Sequence, residues 1–195
     1  MAMKKDILER YDRLDDGRVV IDVYASKVEE LYEDFDKQAP FHRKDLDEEL
    51  AAYLIDCVRE IGRVDFIIRI TLDSIPSGEF QERIRSSLRQ FFIYQQELIT
   101  ASTRRQLRKS LLFLFGGMVL LFLSLRFGGG MTSVSARLVY ERVLVEGVTI
   151  AAWVSMWESL TILMFSYWPA RQRIRLNSRI AGAEVRFQSH LEVGR

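Results

Sequence analysis

Two apolar stretches in the C-terminal half constrain this chain more than any other feature. They are LLFLFGGMVLLFLSL at residues 111–125 and VLVEGVTIAAWVSMWESLTILMFSYW at residues 143–168. Together they predict a transmembrane helical hairpin attached to a water-soluble domain. At ~1.5 Å per helical residue, the first stretch reaches only about 22 Å against a hydrocarbon core of about 30 Å. Including residues 106–110, and letting Arg126 reach outward along its aliphatic stem, closes that gap; a hairpin that never fully crosses is the alternative. The second stretch is long enough to span with tilt.

Charge follows the same division. Through Ser102 there are 15 Lys/Arg against 22 Asp/Glu, whereas from Thr103 onward 13 basic residues face only 5 acidic ones. An acidic soluble half is thus joined to a basic half whose charges flank apolar spans, which points to anionic lipid headgroups rather than nucleic acid. Arg104, Arg105, Arg108 and Lys109 precede the first span, and Arg171, Arg173, Arg175 and Arg179 follow the second. The connection at 126–142 holds only Arg126, Arg137 and Arg142, with Glu141. The positive-inside rule then puts both termini in the cytoplasm, with Trp168 as an interface anchor and Pro169 as a stop. The opening residues lack a secretory signal's apolar run, and the single cysteine, Cys57, reads as core.

The expected fold class is α+β, with three parts: a cytoplasmic domain over 1–102, a hairpin over 103–169 and a basic cytoplasmic tail over 170–195. Residues 1–17 read as a short helix ending at Gly17. RVVIDVY at 18–24 and DFIIRITL at 65–72 are rich in β-branched residues and read as strands. Between them, Ser26 with Glu29 has the form of a capping box for a first helix that Pro40 ends. Asp45 with Glu48 has the same form for a second, which Gly62 terminates. From Pro76 onward no Pro or Gly other than Gly78 interrupts the pattern before Gly116, which predicts one long helix running into the first span. In the tail, residues 184–187 alternate like a strand; two strands make a marginal sheet, and the tail or a neighbouring subunit could supply a third.

Glu158 is the sharpest functional candidate. It lies ten residues before Trp168, near the bilayer midplane, where an isolated acid is costly and normally meets protein or water. It reads as a cation or proton site, a partner for a base on another subunit, or a neutral carboxyl at a helix contact. Glu146 sits nearer the outer interface, on one face with Ile150, Trp153 and Trp157. Trp153 and Trp157 read as helix-packing or lipid contacts, and Gly116 and Gly117 as permitting close helix approach. In the soluble half, His42, Asp45 and Asp47 group within PFHRKDLD, but no recognised catalytic, metal or phosphate-loop motif accompanies them.

PFHRKDLDEELAAYLIDCVREI, followed by EGVTIAAWVSMWESLTILMFSYWPARQRIRL, resembles a group of small bacterial two-span proteins of unknown function. They share a PFHxxDLD element, a helix, a strand and a late GxxIAxWVxMW…WP segment before a basic tail. The likeness runs from about Val19 to Phe187. It implies a bacterial inner-membrane protein with a common fold and brings no activity. In that pattern acids are expected near the positions of Thr161 and Ser166, whereas this chain carries its intramembrane acid at Glu158.

The expectation is a non-enzymatic membrane scaffold or accessory subunit without cofactors. It would assemble as a homo-oligomer or inside a larger membrane complex, with the lipid bilayer and membrane proteins as partners. Alternatives are an oligomeric ion-conducting protein using Glu158 and an enzyme with a site near His42.

Overall fold

A computed structural model describes residues 9–33, 45–128 and 136–190. The fold is mixed α/β, and the chain divides into two compact units, Met1–Glu97 with Arg173–Arg195, and Leu98–Gln172.

The first unit is built on a three-stranded sheet. β1 (Val19–Ala25) and β2 (Phe66–Leu72) are the two β-branched runs, and β3 (Glu184–Ser189) is the alternating segment of the tail. The order is β1-β2-β3 and all pairs are parallel. The tail strand therefore completes the sheet of its own chain. Helix α1 (Glu48–Ile61) crosses from β1 to β2. The crossover from β2 to β3 consists of the long helix α2 (Gly78–Gly128), α3 (Ala136–Ile162) and α4 (Trp168–Ala181).

One face of this sheet is the core. Ile21 and Val23 of β1, Ile68 and Ile70 of β2 and Val185 of β3 cluster with Leu54, Val58 and Ile61 of α1. Ile84, Leu88 and Phe92 of α2 and Leu176 and Ile180 of α4 join the same cluster. Because strand side chains alternate, the other face carries Asp22 and Tyr24, Arg69 and Thr71, and Arg186 and Gln188, in register across the strands. Val20 and Ile67 lie in register on the same face and are each 1% exposed, so this face too is partly covered, as all-parallel sheets normally are. Arg85 of α2 donates to the Val185 carbonyl at 3.0 Å, occupying one acceptor of edge strand β3. Arg179 of α4 donates to the Gly62 and Val64 carbonyls and lies over the Phe66 ring at 5.1 Å.

Three local expectations are corrected. The helix expected from Ser26 is only a 3-10 turn, Val28–Leu31, because Tyr32 becomes extended and bridges to Leu46. It is Glu30, not Glu29, whose carboxylate accepts from the Ser26 N–H, at 2.9 Å. The same bridge moves the next cap: Asp45 and Leu46 are held extended by Glu33 N–H to the Asp45 carbonyl and Asp47 N–H to the Leu31 carbonyl. The α1 N-cap is therefore Asp47, whose Oδ1 accepts from the Leu50 N–H at 2.9 Å, as the orphan donors of a helix start require. At the other end Gly62 caps α1 with φ +75°. The part of 1–17 that is described is turn and bridge rather than helix, and its bend at Gly17 has φ +84°.

The second unit contains the two apolar segments. Both helices are long and apolar enough to cross a membrane, with mean hydropathy 1.7 and 1.5 over their best windows. Only 17% and 11% of those windows are buried, whereas the core helix of a soluble protein would be mostly buried. A π-helical stretch, Leu163–Tyr167, precedes α4. Pro169 lacks the N–H that would bond four residues back and its ring crowds that carbonyl, which accounts for a widened turn here.

Candidate functional site

The hairpin is held by a seam of small residues. On α2 these are Thr103, Ser110, Gly117 and Ser124, each seven residues from the last and each buried, in contrast to the exposed apolar residues around them. On α3 the facing positions are Val145, Thr149, Ala152 and Ser159. Ser110 Oγ donates to the Ser159 carbonyl at 3.0 Å and meets Ser159 Oγ at 2.9 Å. Ser124 Oγ meets Thr149 Oγ1 at 2.5 Å and donates to the Val145 carbonyl at 3.3 Å. Midway, a Cβ added at Gly117 would lie 3.0 Å from the Ala152 carbonyl oxygen and 2.9 Å from Met156 Cγ. Seven steps along α2 match seven steps back along α3. That spacing keeps one stripe of each helix on its partner, as in left-handed helix pairs. Of the two glycines singled out from sequence, Gly117 makes this approach, whereas Gly116 has nothing within 4 Å of its Cβ direction.

The other candidates lie away from the seam. Trp153 and Trp157 are 65% and 70% exposed, so neither packs on α2. Glu146 shares their face and is ion-paired with Arg142, one helical turn earlier, at 3.4 Å. Glu158 is exposed, on the side of α3 that carries Val154. No described side chain hydrogen-bonds or ion-pairs with it. Its carboxylate therefore projects outward from the hairpin, amid apolar side chains. Among the anchors, Arg104, Arg105, Arg108, Lys109, Trp168, Arg173 and Arg175 are exposed, while Arg171 donates to Tyr167 Oη at 3.2 Å.

In the first unit His42 lies outside the described residues, and Asp45 and Asp47 serve the extended bridge and the α1 cap. Among the described residues no group of three His, Cys, Asp or Glu side chains could hold a metal. The second sheet face carries a polar arrangement that the sequence reading missed. Arg69 donates to both oxygens of Asp22, at 2.5 and 2.8 Å, and to Asp12 at 2.9 Å. These carboxylates, Asp22 foremost, hold its guanidinium above its ordinary pKa. At the carboxyl ends of the strands, Tyr24 Oη donates to Asp73 at 3.0 Å, and His190 packs edge-on against the Tyr24 ring at 5.5 Å. At the opposite end of β3, Glu184 accepts from Arg186 at 2.7 Å and from Arg18 at 2.5 Å. Those hydrogen bonds, Arg186's first, lower its pKa.

Beside them, an open cleft of about 780 Å³ runs between Arg85 and Arg89 of α2 and the 182–186 segment. Most of its charges are already committed, Arg85 to Glu82 and the Val185 carbonyl, and Arg186 to Glu184. Period-two alternation through Asp22, Tyr24 and Arg69 would have shown which strand positions share this face; that all three strands run parallel could not be read locally. No family model, curated protein or solved structure matches the chain.

Proposed function

We propose that the chain is a two-span membrane protein of the bacterial inner membrane, with both flanks of the hairpin in the cytoplasm. Its role is that of a non-enzymatic scaffold or accessory subunit which assembles with copies of itself or within a larger membrane complex. Strands on the two sides of the hairpin, β2 and β3, pair in one sheet; this supports an even number of crossings, because both strands must be on the same side. The basic flanks around Arg104 and Arg173 favour the cytoplasm for that side.

The observation that carries the assembly reading is the outward position of Glu158. The seam sets Ser159 against Ser110, two residues from Arg108, so Glu158 lies toward the Arg104–Arg108 end of the hairpin rather than at the midplane expected from sequence. An acid among apolar side chains is still costly there and normally faces protein or water. In the single chain Glu158 is exposed between Val154, 63% exposed, and Phe165, 73% exposed. A neighbouring protein surface offering a donor at that depth relieves the cost.

The test is a cysteine at Val154, in a Cys57→Ser background, oxidised or cross-linked in native membranes. Cross-linking to a second copy or to another protein, lost on Glu158→Leu, is the expected result. A Val154 cysteine that reacts with nothing but lipid-soluble reagents would overturn the reading.

A further inference from the structure

The exposed side of α2 carries a second feature, independent of Glu158. Arg104, Arg108, Leu111, Phe115 and Met118 follow one another at steps of four, three, four and three, so they form one stripe along the helix. Leu111 is 62% exposed and Phe115 66% exposed, and both arginines are exposed. Between these side chains runs an apolar groove of about 560 Å³, lined by Arg108 at one end and by Leu111, Leu112, Phe115 and Met118. No acid among the described residues pairs with Arg104 or Arg108, in contrast to Arg142, which Glu146 neutralises.

The dimensions select a ligand. Arg108 to Met118 is ten residues, ~15 Å of helix, which is half of a hydrocarbon core of about 30 Å and therefore one leaflet. Two guanidinium groups one turn apart match the oxygens of a phosphate, which they can grip in forked hydrogen bonds. A zwitterionic headgroup brings its own cation to the same place; an anionic one does not. On the membrane reading proposed above, we infer that this stripe binds one anionic phospholipid, its phosphate between Arg104 and Arg108 and an acyl chain in the groove. The same contact holds the short first span in register with the bilayer, because it ties the arginines to the headgroup layer.

The test uses the full chain in vesicles of phosphatidylcholine mixed with phosphatidylglycerol, one or the other bromine-labelled on its chains. Phe115→Trp, in a background with Trp153, Trp157 and Trp168 changed to Phe, reports which lipid touches the stripe. Each basic residue near an anionic surface contributes ~1 kcal/mol, so phosphatidylglycerol should be preferred at least about fivefold. Arg104→Gln/Arg108→Gln should remove the preference, and Arg173→Gln/Arg175→Gln, with the same loss of charge, should keep it. Equal quenching by both lipids, or equal loss in both double variants, would overturn the site and leave only bulk lipid contact. Absence of quenching by either lipid would instead refute the membrane reading itself.

Should the tryptophan-free background not fold, native mass spectrometry of the otherwise unaltered chain gives the same decision. Retained phosphatidylglycerol that disappears only in Arg104→Gln/Arg108→Gln supports the site, and indiscriminate retention refutes it.

Discussion

Gly117 offers the sharpest test of how the hairpin is held. A methyl group there would sit 2.9 Å from Met156 Cγ, 3.0 Å from the Ala152 carbonyl oxygen and 3.2 Å from Ser155 Cβ. Carbon atoms rest at about 3.5–4.0 Å, so α2 and α3 must separate by roughly half an ångström even for Ala. Met156 can swing aside, but the Ala152 carbonyl is backbone and cannot. Overpacking of this kind costs ~1–3 kcal/mol, while replacing a helical Gly by Ala returns up to ~1 kcal/mol. Gly117→Ala should therefore be mildly destabilising. Gly117→Ile, which adds bulk without room, should lose the full overpacking cost and also stretch the Ser110–Ser159 and Ser124–Thr149 hydrogen bonds. Gly116 is the internal control, since nothing stands within 4 Å of its Cβ direction. Gly116→Ala should be neutral or stabilising. Thermal unfolding in a mild detergent, followed by helical circular dichroism, reads all three variants. If Gly117→Ile melts with Gly116→Ala, α2 and α3 do not pack along this seam.

Three further outcomes follow from the first unit. Val185 is 6% exposed on the core face of β3, so Val185→Asp buries an unpaired charge and should release the tail strand, seen as rapid proteolysis after Arg179. Asp47→Ala removes the acceptor for the Leu50 N–H and should lower stability by ~0.5–2 kcal/mol, read as a lowered denaturant midpoint. Glu184 has a folded-state pKa below its ordinary 4.5, so its contribution is present above that value and is lost as pH falls through the lowered one. Glu184→Gln should lower the neutral-pH melting temperature slightly, leave the strongly acidic end nearly unchanged, and so flatten the acid limb of the profile.

What could be read from sequence was whatever is local or periodic. The β-branched runs of β1 and β2 and the alternation at Glu184 to Phe187 each mark a strand, and Gly62 marks a helix end at the observed place. The first helix failed because a distant partner decided it. Tyr32 pairs with Leu46, and an extended bridge there outweighs the local preference of the capping pattern. Asp45 lost its capping role to Asp47 for the same reason. The seam was half legible: Gly117 stood out as a glycine, but Ser110, Ser124, Thr149 and Ser159 pass for ordinary small polar residues until their seven-residue spacing is set against the partner helix. The Asp22–Arg69 pairing and the approach of His190 to Tyr24 depend on strand order, which no single segment encodes.

The most direct test of the central claim is the native mass of the full chain extracted in mild detergent, with bound proteins identified. A defined multiple of 22.8 kDa, or one chain with stoichiometric extra protein mass, is the expected result, because Glu158 then has a protein neighbour. A stable, monodisperse single chain carrying only detergent and lipid, unchanged by Glu158→Leu, would contradict the account.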